Sequence, residues 1–189
     1  MGKTTSSTPV HSTGITERWN KPDNGCVKVN YDATIFKSSG QFGVGWIVRN
    51  DTRELIYAAN SCFPGKPEVY HAEAIGIREA LSWIKAEIDK NEESTVCNSQ
   101  HRVVVESDCQ VAVNTWLKKK KIYSPFSGVI DECRSILESY NNIDIFFVKR
   151  SGNKAADWLS NLSSSSAGGI WRGEYVPPDL ACILKNDLK

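Results

Sequence analysis

Four carboxylates, far apart in sequence, are the residues best suited to chemistry in this chain of 189 residues. Asp32 closes an alternating strand, and Asp108 follows the apolar run Val103–Val105. Glu73 is predicted in the first turn of a long amphipathic helix, and Asp157 on a later helix. Four acids gathered at one sheet would repel one another unless cations lie between them. Oxygen ligands of this kind suit Mg²⁺ or Mn²⁺, and paired ions serve phosphodiester chemistry.

The elements that must position these acids follow a clear order along the chain. Three strands with short links are predicted first, at 26–35, 42–49 and 54–61. Helices are then predicted at 70–89, 109–117, 125–140 and 153–162, with strands at 102–106 and 143–150 between them. Strands joined by short links pair antiparallel, whereas strands reached through helices pair in parallel. The sequence therefore predicts an α/β fold with a mixed five-stranded sheet, three antiparallel strands followed by two parallel ones, and helices on both faces.

Composition indicates one domain between two less regular ends. Residues 1–17 are rich in Ser, Thr and Gly and are interpreted as a disordered leader. Residues 18–165 form the predicted domain, which is long enough to bury a core without disulfides. Residues 166–189 are predicted to be a C-terminal tail that packs on or near this domain.

Charge and cysteine usage limit the kinds of partner and compartment. The formal net charge is +1, so the overall charge neither favours nor excludes a polyanionic partner. No apolar stretch is long enough for a membrane span, and no small-molecule cofactor is expected. The six cysteines form no C-x-x-C pair, which favours reduced thiols in an intracellular compartment, nucleus or cytoplasm, rather than disulfides or zinc ligands. We expect a monomer.

Each acid taken alone has a simpler explanation. Glu73 could complement a helix dipole, and Asp108 could cap the following helix. Asp32 could be a strand-end turn residue, and Asp157 could lie on a solvated helix face. Four acids in this order on these elements are not explained in that way.

The motifs around the acids carry a family resemblance. They are Asn30-Tyr31-Asp32, Ala72-Glu73-Ala74, Glu106-Ser107-Asp108 and Val148-x-Arg150-x-x-Asn153-x-x-x-Asp157. With the order of elements, these motifs resemble the ribonuclease H family, and more narrowly the plant RNase H-like domain of non-LTR retroelement reverse transcriptases. The segment from Trp19 to Asp32 and the one from Pro177 to Asp187 also resemble that subgroup.

The resemblance implies an endonuclease that cuts the RNA strand of an RNA–DNA hybrid with two Mg²⁺ ions, or with Mn²⁺ in their place. It implies that Asp32 bridges both ions and that Asp157 holds the ion on the nucleophile side. Glu73 and Asp108 would hold the ion at the leaving group. The 2′-hydroxyl groups would distinguish RNA from DNA.

The resemblance also implies contacts with nucleic acid. A basic protrusion of the family corresponds to the run Lys118, Lys119, Lys120 and Lys121, which is preceded by Trp116. These residues are predicted to contact phosphates and to stack on a sugar or base. The amides of Asn30 and Asn153, beside the acids, are predicted to hydrogen-bond the RNA.

Two departures from the family pattern keep a second function open. Cellular members carry a histidine where this chain has Phe147, and a glycine where it has Ala33. A general acid–base residue is typically worth about 10² to 10⁴ in rate, so the loss of that imidazole would slow turnover. The alternative is a catalytically weak or inactive nucleic-acid-binding module derived from a retroelement RNase H domain. Exonucleases and integrases of related fold fit less well, because Asp32 lacks an Asp-x-Glu pattern and the last acid is Asp157 rather than Glu.

Overall fold

A computed structural model describes residues 18–90, 101–117, 127–165, 168–173 and 175–187. In these ranges the chain forms one mixed sheet with helices on both faces. The strands are β1 Cys26–Phe36, β2 Gln41–Asn50, β3 Leu55–Pro64, β4 Arg102–Ser107, β5 Ile143–Phe147 and β6 Gly169–Trp171. The helices are α1 Val69–Asp89, α2 Gln110–Leu117, α3 Ser127–Ser139, α4 Lys154–Leu162 and α5 Pro178–Asn186.

The sheet confirms the predicted class and corrects the strand count. Its order is β5-β4-β1-β2-β3-β6. β1, β2 and β3 pair antiparallel, and β4 and β5 continue the sheet in parallel from β1, as expected. The prediction of five strands was wrong by one, because β6 adds a sixth antiparallel to β3. Three residues are too few for a periodic pattern, and the position of β6 depends on a tertiary contact in which the Gly169 N–H donates to Asn60 Oδ1 over 2.7 Å.

Apolar side chains cover the sheet on both faces. The larger core lies between the sheet and α1, α2 and α3, where Ile77 and Leu81 of α1 are fully buried. Burying such a side chain contributes about 1.5–3 kcal/mol. A smaller core on the other face joins Ile47 of β2 to Leu159 of α4 and Leu180 of α5. The described part of the predicted tail therefore packs on the sheet and α4.

Two further features of the described segments are the state of their cysteines and the character of their helices. The cysteines in the described segments are all free thiols, namely Cys26, Cys62, Cys109, Cys133 and Cys182. The compartment stays a prediction. Among the described helices, none has the length and apolarity to cross a membrane.

Candidate active site

Asp32 is the buried centre of the site. It lies on β1 opposite Gly45 of β2, is 7% exposed, and accepts a hydrogen bond on Oδ2 from Ser160 Oγ at 2.7 Å. Burial raises the pKa of Asp32 from 3.8 to about 7, and the charges of Asp108 and Asp157 add to this shift while the Ser160 hydroxyl opposes it. A carboxyl group that holds its proton near neutrality has too little positive charge around it.

Glu73 approaches Asp32 from α1. The sequence predicted Glu73 in the first turn of this helix. Because α1 begins at Val69, Glu73 lies just beyond the first turn. The side chain is 4% exposed. Its Oε2 has no hydrogen-bond partner among the described residues. Burial, followed by the charges of Asp32 and Asp108, raises the pKa of Glu73 well above its usual range.

Asp108 is held in place by a hydrogen bond from Asn153. It follows β4, whose last residue, Ser107, accepts the Cys109 N–H on its hydroxyl over 3.0 Å and so turns the chain into α2. Asn153 precedes α4, and its Nδ2 donates to Asp108 Oδ1 over 2.8 Å and to the backbone oxygen of Tyr31 over 3.0 Å. Asn153 thus ties the end of β4 to β1 next to Asp32.

Asp157 forms the solvent side of the site. It lies in the first turn of α4 and accepts a hydrogen bond on Oδ1 from Arg150 Nη2 at 2.6 Å. Arg150 is 76% exposed in its side chain, so this ion pair stands at the rim. The pKa of Arg150 is raised, first by the hydrogen bond and charge of Asp157 and then by the charges of Asp108 and Asp32.

The chain folds so that α4 approaches the sheet closely enough to complete this site. A Cβ at Gly43 or Gly45 of β2 would collide with the backbone of Ser160 on α4. Without these glycines, α4 and Asp157 would stand further from Asp32. The structure therefore brings together Asp32, Glu73, Asp108 and Asp157, which we call the acid cluster. The charges of Asp108 and Asp157 raise the pKa of Asp32, and the charges of Asp32 and Asp108 raise the pKa of Glu73.

The acid cluster fits divalent cations in its chemistry. Its ligands are carboxylate oxygens, the donors preferred by Mg²⁺ and Mn²⁺, and one buried oxygen, Glu73 Oε2, has no partner in the described chain. In the described segments, no group of three or more acidic, histidine or cysteine side chains is arranged to enclose one ion. Asp157 is turned toward Arg150, and Asp32 Oδ2 toward Ser160.

The predicted nucleic-acid contacts fall in three different environments. Asn30 is fully buried, and Trp116 is 6% exposed within the larger core, so neither side chain is available to a ligand in this structure. Their contact with nucleic acid stays a prediction; in this structure Trp116 packs in the larger core and Asn30 hydrogen-bonds Trp19 and Glu106. Asn153 is also buried, with both amide hydrogens engaged by protein oxygens. The residues Lys118, Lys119, Lys120 and Lys121 lie outside the described residues.

Asn30 belongs to a second polar network, which we call the terminal clamp. Its members are Trp19, Lys28, Asn30, Arg49, Glu106 and Asp187. Arg49 is 2% exposed, stacks on Trp19 with its Cζ 3.6 Å from the ring centroid, and pairs with Asp187 at 2.6 Å. The motifs at the two ends of the resemblance thus meet at one buried arginine.

Sequence reasoning missed Ser160 and the role of Arg150. Ser160 lies three residues after Asp157, a spacing that places both on one side of α4. That spacing was the available signal for Ser160. The pairing of Arg150 with Asp157 had no comparable signal, because it depends on the short 3₁₀ turn at Arg150–Gly152.

The fold of the chain is that of the RNase H proteins. The RNase H1 of the halophilic archaeon Halobacterium salinarum is 18% identical over 74% of this chain and 97% of its own, with a TM-score of 0.59. An RNase H1 isolated from compost is 18% identical over 74% and 95% of the two chains, with a TM-score of 0.62. The N-terminal RNase H domain of a Mycobacterium tuberculosis protein is 18% identical over 75% and 94%, with a TM-score of 0.60.

The family is established by sequence. The pattern of the family described as reverse transcriptase-like matches residues 30–163, well over half of the chain. The chain therefore belongs to this RNase H-like family, as the motifs had indicated. No curated protein matches it.

Proposed function

We propose that this protein is a metal-dependent endonuclease that cleaves the RNA strand of RNA–DNA hybrids. The observation that carries the proposal is the acid cluster, in which the pKa of Asp32 is raised to about 7 by burial and by neighbouring carboxylates. Acids with strongly perturbed pKa values are typical of functional sites. The compost RNase H1 has also been solved in complex with an RNA/DNA hybrid, which supports this choice of substrate.

The four acids are proposed to hold two Mg²⁺ or Mn²⁺ ions. When bound, these ions would supply Lewis-acid stabilisation of the charge that develops on the phosphate and on the departing oxygen. Asp32 would contribute to holding both ions, because the charges of both Asp108 and Asp157 raise its pKa. Glu73 and Asp108 would hold one ion, and Asp157 the other.

Two further residues of the site contact these ligands. Asn153 fixes Asp108 by a 2.8 Å hydrogen bond, so that this carboxylate keeps its direction when the site is charged. Arg150 holds Asp157 at the rim and is exposed enough to contact a phosphate of the substrate. The basic run that follows α2 is proposed to contact the backbone of the hybrid.

A non-cleaving nucleic-acid-binding module, derived from a retroelement RNase H domain, is the second candidate. One observation favours it. Phe147 ends β5 in register with Ser107, the residue before Asp108, and its half-buried ring packs against the larger core. A phenyl ring cannot transfer a proton, so this position next to the site supplies no acid–base group.

A cleavage assay separates the two candidates. The full chain is incubated with a hybrid labelled on the RNA strand, with Mg²⁺ or Mn²⁺, beside the same labelled RNA in single-stranded form. Internal cleavage of the hybrid alone, lost in Asp108→Asn, supports the nuclease. Binding of the hybrid in a gel-shift assay without cleavage by either metal supports the module and overturns the proposal.

A further inference from the structure

Ser160 places a buried hydroxyl against the centre of the acid cluster. Its residue is fully buried, and its Oγ lies 2.7 Å from Asp32 Oδ2 and 2.8 Å from Thr34 Oγ1. A third oxygen, the backbone oxygen of Asp157, lies at 2.9 Å. The hydroxyl therefore has three polar neighbours around it.

A serine hydroxyl has one proton to donate, so these neighbours compete for it. In its ionised form, the form that binds a cation, Asp32 is the strongest acceptor, because hydrogen bonds to ionised groups are about twice as strong as neutral ones. The backbone oxygen of Asp157 already accepts from Asn161 Nδ2 at 2.7 Å. The arrangement that satisfies all groups has Thr34 donating to Ser160 and Ser160 donating to Asp32.

The backbone around Ser160 leaves this hydroxyl little freedom to move. Because Gly43 and Gly45 have no side chains, the Ser160 backbone packs directly against β2. Ser163 Oγ then donates to the Ser160 carbonyl over 2.7 Å. An alanine would fill the same space without a hydroxyl, so the packing alone does not require serine.

We propose that Ser160 is a positioning residue for metal binding. By holding Asp32 Oδ2, it sets the rotation of that carboxylate and leaves Oδ1 for the divalent ions. Thr34 acts one step further out, by orienting the Ser160 hydroxyl. This inference rests on the proposed function and adds a residue outside the four acids.

The test compares Ser160→Ala with the matched control Ser163→Ala. Ser163 is equally buried and also loses one hydrogen bond, but it does not contact Asp32. Mn²⁺ affinity is measured by electron paramagnetic resonance without nucleic acid, and kcat and KM are measured on the hybrid. Groups that orient metal ligands are typically worth about 10- to 100-fold in metal affinity or activity.

Ser160→Ala is expected to weaken Mn²⁺ binding about 10-fold and to lower kcat with little change in the KM for hybrid. Ser163→Ala is expected to keep wild-type Mn²⁺ affinity within about 2-fold, and Thr34→Val to fall between the two. The positioning role of Ser160 is overturned, while the proposed function survives, if Ser160→Ala binds Mn²⁺ as tightly and cleaves hybrid as fast as an active wild type. It is also overturned if Ser160→Ala and Ser163→Ala lose Mn²⁺ affinity equally. A wild type that neither binds Mn²⁺ nor cleaves overturns the proposed function along with it.

Discussion

The acid cluster and the terminal clamp lie on the same face of β1, yet their charges are arranged in opposite ways. In the terminal clamp, Lys28 pairs with Glu106 and Arg49 with Asp187, both at 2.6 Å. Asn30 fills the space between them, accepting from Trp19 and donating to Glu106. Buried charges of opposite sign are thus matched and hydrogen-bonded, which is the usual requirement for burying them.

The acid cluster meets this requirement only in part. Four carboxylates share one region, and among the described residues the ion pair found for them is that of Arg150 at the rim. The pKa values of Asp32 and Glu73 are raised because burial and like charges act on them together. The terminal clamp therefore stabilises the fold, whereas the acid cluster retains a repulsion between carboxylates that cations would relieve.

Substitutions in the two regions should therefore separate activity from stability, and the largest effect is expected on activity. Asp32→Asn should lower hybrid cleavage at least about 10³-fold, because the bound ions contribute several kcal/mol to the transition state. Cleavage rates on labelled hybrid measure this. Asp187→Asn in the terminal clamp is the control and should keep kcat within about 3-fold. Equal losses of kcat in Asp32→Asn and Asp187→Asn would contradict the assignment of activity to the acid cluster and of stability to the terminal clamp.

Stability should show the reverse pattern. Arg49→Ala leaves Asp187 and Asn30 without their buried cation, which typically costs about 3 kcal/mol. For a chain of this size, Tm should fall by roughly 6–12 °C, as measured by calorimetry. Arg53→Ala is the matched control, because Arg53 donates to the backbone oxygen of the same Asp187 from the exposed surface. It should change Tm by no more than about 2 °C.

The acid cluster should also give the apo-protein a characteristic pH dependence. The pKa of Asp32 is 3.8 without burial and about 7 in the fold, so the folded state keeps a proton that the unfolded chain releases between these values. Stability from this group is therefore present near pH 4 and is lost as pH rises toward 7. Without divalent ions, Asp32→Asn should reduce this decline, leaving the part that the raised pKa of Glu73 contributes, and should stabilise the protein by about 2 kcal/mol at pH 8.

Urea unfolding at pH 5 and pH 8, in chelator, measures this prediction. The control is Asp187→Asn, whose decline with pH between these values should match that of the wild type. A wild type that is equally stable at both pH values would show that Asp32 does not hold its proton in the fold.

The smallest effect is expected at the rim. Arg150→Ala removes the cation paired with Asp157, and exposed ion pairs are worth about 0–1 kcal/mol. Mn²⁺ binding should therefore tighten by at most about 5-fold, since Asp157 then has no competing cation. Lys154→Ala, on the exposed first turn of α4, is the control and should leave binding unchanged. Weaker Mn²⁺ binding in Arg150→Ala would assign the arginine another role.

The sequence predicted the fold better than it predicted individual side-chain environments. Period-two alternation in β1 and the apolar stripe of α1 depend on local spacing, so both elements were predicted within a residue. β6 depends on Asn60, a contact 109 residues away in sequence, and was not predicted. Local patterns do not contain such contacts.

The same limit applies to side chains at the site. Asn30 and Asp32 share the polar face of β1, so the sequence predicted both at one site, Asp32 as a metal ligand and Asn30 as a contact to RNA. In the structure, Asn30 faces Arg49 and Trp19, whereas Asp32 faces the other acids. Two residues along one strand thus enter different clusters, and only the packing of both chain ends distinguishes them.

The most direct test of the account is a Mn²⁺ titration of the full chain at pH 8 without nucleic acid, followed by electron paramagnetic resonance. Wild type and Asp32→Asn are compared, with Asp187→Asn as the control. We expect saturable Mn²⁺ binding in the wild type and in Asp187→Asn, and its loss in Asp32→Asn. Equal Mn²⁺ affinity in the wild type and Asp32→Asn would contradict a shared metal site in the acid cluster.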